Sequence, residues 1–75
     1  MYIMSQDKKM ICKCIKVRVE KNFGGGKTQK YTIRGTTEFD DTNLLGFYEE
    51  EKLALVELQN IFEAMANGES VYIMK

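Results

Sequence analysis

Three short stretches hold residue types that do chemistry in other settings. Gly24-Gly25-Gly26-Lys27-Thr28 ends like a phosphate-binding loop, Cys12-Lys13-Cys14 sets two thiols two residues apart, and Asp40-Asp41-Thr42-Asn43 concentrates oxygen donors. Each falls short of its chemistry. A phosphate loop reads G-x-x-x-x-G-K-[ST] between a strand and a helix, because the helix N-terminus supplies the positive end of a dipole to the anion. Here the residue five before Gly26 is Lys21, and the segment that follows reads as a strand. The glycines are therefore expected to turn a hairpin with a mobile tip, with Phe23 at its base either tucked against the sheet or exposed. Two thiolates are half a tetrahedral zinc site, and with no histidine in the chain a second copy would have to supply the rest. Cys12 and Cys14 are expected to pack within or upon a sheet. Asp41, Asn43 and Gly46 fit positions 1, 3 and 6 of an EF-hand loop, but Leu45 stands at position 5 and Lys52 at position 12, where a bidentate glutamate is required. That stretch reads as a solvated turn.

Catalysis has little else to draw on. Ser5 and Ser70 have no evident general base, and the carboxylates fall in runs typical of solvated faces. A chain of 75 residues also leaves little room to enclose a substrate. The reading is a protein that is not an enzyme, with no catalytic residue, metal, cofactor or small-molecule substrate.

The chain is expected to form a single domain over residues 1–75. At this length only about 60–65 % of the unfolded surface is buried on folding, so covering apolar surface with a partner would add stability. No apolar run reaches the roughly 18 residues of a membrane span, and the opening MYIMSQDKK is no signal peptide. Two cysteines without such a signal point to a reducing, cytoplasmic setting. The formal net charge of zero hides a division. Residues 1–37 carry nine Lys/Arg against Asp7 and Glu20, a balance of +7, whereas residues 38–75 carry Lys52 and Lys75 against nine acids, a balance of −7.

Periodicity supplies the elements. MYIM, KMICKCIKVRVE (9–20), KYTIRGT (30–36), LLGFY (44–48) and the closing VYIM read as strands. Within 9–20, Ile11, Ile15, Val17 and Val19 share one parity and are expected to face the core, while Met10, Cys12 and Cys14 are apolar on the other. That change predicts a bulge near Cys14 or a stretch buried on both faces. Gly46 marks a bulge or close approach. Residues 50–67 form the helix, with Ala54, Leu58, Ile61 and Met65 as its buried stripe, Leu55 and Phe62 flanking it, and Asn67-Gly68 ending it. The expected fold is α+β, in the order β-β-β-β-α-β: a small antiparallel sheet of about five short strands with one amphipathic helix on one face. The similar terminal strands are expected either to be neighbours in one sheet or to be edges seeking a partner.

Two surfaces follow from that layout. Leu53 and Val56 project away from the buried stripe, where a solvated helix is polar, and form the candidate interface for a second copy or a protein partner. A basic hairpin face of Lys16, Arg18, Lys30 and Arg34, opposite the Ile/Val side and bare to water, is the candidate site for nucleic acid or another anionic partner. Self-association or protein binding is the primary reading, and nucleic-acid binding the alternative.

The two ends of the chain carry a resemblance. Ser5-Gln6-Asp7-Lys8, then Leu45-Gly46, Tyr48, Leu58, Ile61 and Asn67-Gly68-Glu69, followed by Val71-Tyr72 and Met74, resemble a group of short proteins from Firmicutes genomes and their phages. Their pattern is I-x-S-Q-D-K, a variable β region, then L-G-x-Y and a helix ending in A-x-x-N-G-E-x-V-Y-x-M. The middle of the chain is not covered. The group has no known function, so no site residue carries over. The resemblance implies a small cytoplasmic α+β protein of a bacterium or its mobile DNA, in which Phe47 and Leu53 replace polar residues.

Overall fold

The structure, a computed structural model, describes residues 1–40 and 43–75. Among the described residues, six strands and one helix run β1 (Tyr2–Met4), β2 (Ile11–Lys13), β3 (Lys16–Lys21), β4 (Tyr31–Thr36), β5 (Asn43–Tyr48), α1 (Glu51–Ala66) and β6 (Val71–Ile73). The α+β class is as the periodicity predicts, but the strands form two sheets, ordered β2-β1-β6 and β3-β4-β5.

The division falls where the parity changed. Residues 9–20 are not one strand: the chain leaves the first sheet after Lys13 and enters the second at Lys16. At this corner the Cys14 amide donates to the Met1 carbonyl and the Ile15 amide to the Thr36 carbonyl, so successive residues are tied to different sheets. The corner reverses the expected burial. Cys12 and Cys14 lie in the core, whereas Ile11 and Ile15 are exposed; Val17 and Val19 keep their place against it. Gly35 makes room for the corner, since a Cβ there would come within 2.6 Å of the Cys14 sulfur.

The terminal strands are neighbours. β1 and β6 pair in parallel, with Tyr2 opposite Val71, Ile3 opposite Tyr72 and Met4 opposite Ile73. β1 also pairs antiparallel with β2 through a tight turn. There the Ser5 hydroxyl and the Lys9 amide both donate to Asp7 Oδ1, and the Met10 amide donates to Ser5 Oγ. Lys8 takes a left-handed φ of 62° in this turn. The glycine run closes the β3–β4 hairpin: Asn22 donates from its backbone to the Lys30 carbonyl and from Nδ2 to the Gln29 carbonyl. Gly25 is held against that carbonyl, leaving no space for a Cβ. Phe23 stands exposed, with Lys21 Nζ 5.8 Å above its ring. β5 pairs with β4 through a register shift between Ile33 and Arg34, next to Gly46.

Helix α1 packs on β3, β4 and β5 and ends in a Schellman motif. The Gly68 amide donates to the Met65 carbonyl and the Glu69 amide to the Ala64 carbonyl, with Gly68 at φ 79°. Its buried residues are Ala54, Glu57, Ile61 and Ala64 rather than the predicted Ala54/Leu58/Ile61/Met65 stripe. Small Ala54 and Ala64 permit a close approach to the sheet, and the contact line rotates toward Glu57.

Glu57 is 3 % exposed and anchors the end of the chain to the helix. Its Oε1 accepts from the Tyr72 hydroxyl at 2.9 Å and from Asn60 Nδ2 at 3.1 Å, and its Oε2 accepts from the Lys75 amide at 2.6 Å. The Lys75 carbonyl in turn accepts from the Tyr48 hydroxyl and Gln6 Nε2. Gln6 completes the junction: its Oε1 accepts from the Phe47 amide, and its own amide donates to the Leu45 carbonyl, so the β1–β2 turn is fastened along the outer edge of β5. The two sheets and the helix thus meet at one polar knot. Glu57→Ala leaves the part-buried Tyr72 hydroxyl and Lys75 amide without their acceptor, at about 1–3 kcal/mol each. In urea unfolding it is expected to cost roughly 3 kcal/mol, a large part of a small domain's stability, against about 1 kcal/mol for Tyr72→Phe, which removes a single donor.

Candidate functional site

Leu53 and Val56 both lie exposed on α1. The basic set is not a bare cationic stripe. Lys16, Arg18 and Glu20 share one face with Thr32, Arg34 and Thr36, because the β3–β4 register sets Arg18 opposite Arg34 and Glu20 opposite Thr32. Glu20 serves both arginines: Arg18 Nε donates to its Oε2 at 2.5 Å, and Arg34 Nε lies 3.3 Å from its Oε1. Arg18 Nη1 also donates to Thr36 Oγ1. The Arg18 hydrogen bond, with the charges of Arg18, Arg34 and Lys16, holds the Glu20 carboxyl below its usual range. Thr32, on this face, is buried. Lys16 is exposed, and Lys30 is exposed one residue before β4.

The chemistry-bearing stretches are likewise taken up by the fold. The sulfurs of Cys12 and Cys14 face each other at 2.9 Å as buried free thiols. Burial, reinforced by the Cys12 contact, pushes the Cys14 thiol up to about 12. Such a thiol is a poor nucleophile, since the thiolate is the reactive form. Asp41 lies outside the described residues; Asn43 Nδ2 donates to Asp40 Oδ1 and to the Gly35 carbonyl. Among the described residues no three His, Cys, Asp or Glu side chains are grouped to hold a metal ion. No described helix is long and apolar enough to cross a membrane.

The feature that sequence reasoning missed is an apolar groove of about 650 Å³ between α1 and the corner leading into β3. Its helix wall is Leu55, Leu58, Phe62 and Met65, its opposite wall is Ile15, Lys16 and Val17, and Ile3 and Cys14 lie at its base. Several of these side chains are open to solvent to a degree unusual for core residues: Ile15 71 %, Phe62 62 % and Met65 57 %. Strand parity and the 3.6-residue period alone place Ile15 and Met65 in the core. Two tertiary events expose them: the strand break at Cys14 turns Ile15 outward, and the rotation of α1 onto Ala54, Glu57 and Ala64 swings Leu55, Phe62 and Met65 away from the sheet. The spacing 55, 58, 62, 65 is the signal in the sequence that marks this second stripe.

No family model, curated protein or solved structure matches this chain. The residues that carry the resemblance at the chain ends do have structural tasks: Ser5, Asp7 and Lys8 form the β1–β2 turn, Gln6 and Tyr48 join the polar knot, and Gly68 closes the helix.

Two outcomes follow from this geometry. Glu20→Gln removes the carboxylate between Arg18 and Arg34, so the variant is expected to elute from immobilised heparin at higher salt than the wild type; identical elution would show that Glu20 does not offset those charges. In the native protein at mild alkaline pH, a water-soluble disulfide reagent is expected to modify Cys12 and Cys14 far more slowly than in denaturant, where both thiols react at once.

Proposed function

We propose that this protein is a non-enzymatic interaction module whose contact surface is the apolar groove between α1 and β3. The observation that carries the reading is the exposure of Ile15, Leu55, Phe62 and Met65 together along one concave surface. Scattered surface hydrophobes need no explanation, but a contiguous apolar patch on a small domain marks a contact site. Full burial of each large side chain is worth about 1.5–3 kcal/mol, so covering this groove would add substantially to a marginal fold. The groups with acid–base or nucleophilic character support the same reading, because they hold the fold: Glu57 in the knot, Ser5 and Asp7 in a turn, Cys12 and Cys14 in the core. The two free thiols fit a reducing, cytoplasmic setting. A nucleic-acid contact through Lys16, Arg18, Lys30 and Arg34 is the weaker reading, because Glu20 sits between the two arginines.

Titration with the apolar dye ANS at sub-micromolar chain concentration tests the groove. The wild type is expected to bind the dye, Phe62→Lys to weaken binding by about tenfold or more, and Leu53→Lys to leave it unchanged. A wild type that takes up no dye, or equal losses from both variants, would remove the groove from consideration.

A further inference from the structure

Which molecule fills the groove is written in the helix that forms one of its walls. Leu55, Leu58, Phe62 and Met65 follow the spacing 0, 3, 7, 10, which is the a/d pattern of two successive heptads. In a coiled coil that stripe faces another helix. Here it faces the groove and water, with Phe62 and Met65 more than half exposed. Gln59, which also lines the groove, and Ala66 flank the seam, neutral residues that impose no repulsion between two identical helices. We propose that the groove is filled by α1 of a second copy of this chain, the two helices crossing antiparallel about a two-fold axis near the middle of the seam. The proposal rests on the groove being a contact surface and names its partner.

Charge selects both the partner and the direction. Among the described residues lining the groove, Lys16 is the one cationic side chain and none is a carboxylate. The incoming α1 is acidic: Glu51 lies in line with the seam, four residues before Leu55, and Glu63 is exposed next to Phe62. The lysine-bearing wall of each copy therefore receives the glutamate-bearing helix of the other. A parallel arrangement would bring both Glu49-Glu50-Glu51 runs to one end. The antiparallel one separates them by the length of a 16-residue helix, about 24 Å, beyond the roughly 8 Å over which salt screens charges. It also opposes the two helix dipoles. Such a two-fold contact is isologous: Leu55 faces Met65 of the other copy, Leu58 faces Phe62, and each pair occurs twice.

Sedimentation equilibrium of the full chain, from micromolar to near-millimolar concentration, decides the matter when run beside Phe62→Glu and Leu53→Glu. The wild type is expected to reach the mass of two chains. Phe62→Glu is expected to raise the dissociation constant at least about 100-fold, as loss of a central interface anchor does, with an unchanged far-ultraviolet circular dichroism spectrum; Leu53→Glu is expected to match the wild type. A dimer indifferent to Phe62→Glu but broken by Leu53→Glu overturns the proposal and moves the interface to the other side of α1. A wild type that stays monomeric yet binds ANS in a Phe62-dependent way also overturns it, while leaving the groove as a contact surface for a different protein. A monomer that binds no dye overturns both readings.

Discussion

The buried carboxylate of Glu57 is the constraint on which the other parts of the structure turn. A charged group inside a small core is costly unless donors surround it, and here Asn60 donates from the same helix while Tyr72 and Lys75 donate from the strand that follows it and beyond. The carboxylate thereby fixes how α1 is rotated about its own axis. Burial and the hydrogen bond to Glu57 push the Tyr72 phenol up to about 12, and burial, with the Glu57 charge second, raises that of Tyr48. Both phenols therefore stay protonated over the physiological range, and their hydroxyls remain donors to Glu57 and Lys75.

The exposed groove follows from the same rotation. A helix that centres Glu57, Ile61 and Ala64 on the sheet turns Leu55 and Phe62 to its other flank, with Met65 at the margin between the two. The corner at Cys14 supplies the facing wall. By passing from one sheet to the next within two residues, the chain buries two small thiols and turns Ile15 out toward the helix flank. The result is a small domain whose core gathers Ile3, Ile33, Leu45 and Ile61 with the two thiols, while several other large apolar side chains line a surface. A close-packed interior of modest size and an open apolar groove are two consequences of one packing choice.

The division of charge along the chain does not become two charged faces. On β3 and β4 the basic half carries its own counterion, Glu20, placed between Arg18 and Arg34 by cross-strand register. The arginines are spent on a local network, while Lys16 remains exposed at the groove. The acidic half concentrates at the start of α1, where the helix dipole favours it, and on the exposed side of that helix.

The sequence by itself determined what depends on local chemistry. The turn residues of Ser5-Gln6-Asp7-Lys8, the glycines of the β3–β4 hairpin, the bulge beside Gly46, the extent of α1 and its Gly68 stop are all legible, because each is decided within a few residues by backbone sterics or a short-range hydrogen bond. The matching terminal strands and the α+β class are legible for the same reason. Tertiary structure alone decided that residues 9–20 serve two sheets, that Cys12 and Cys14 rather than Ile11 and Ile15 enter the core, and that α1 turns Met65 and Phe62 outward. Parity and helical period state which residues share a face, but not which face is buried. That choice fell to contacts between residues far apart in sequence, Gln6 with Phe47 and Glu57 with Tyr72 and Lys75, because a buried charge must be satisfied wherever its donors are, and the apolar residues take the positions that remain.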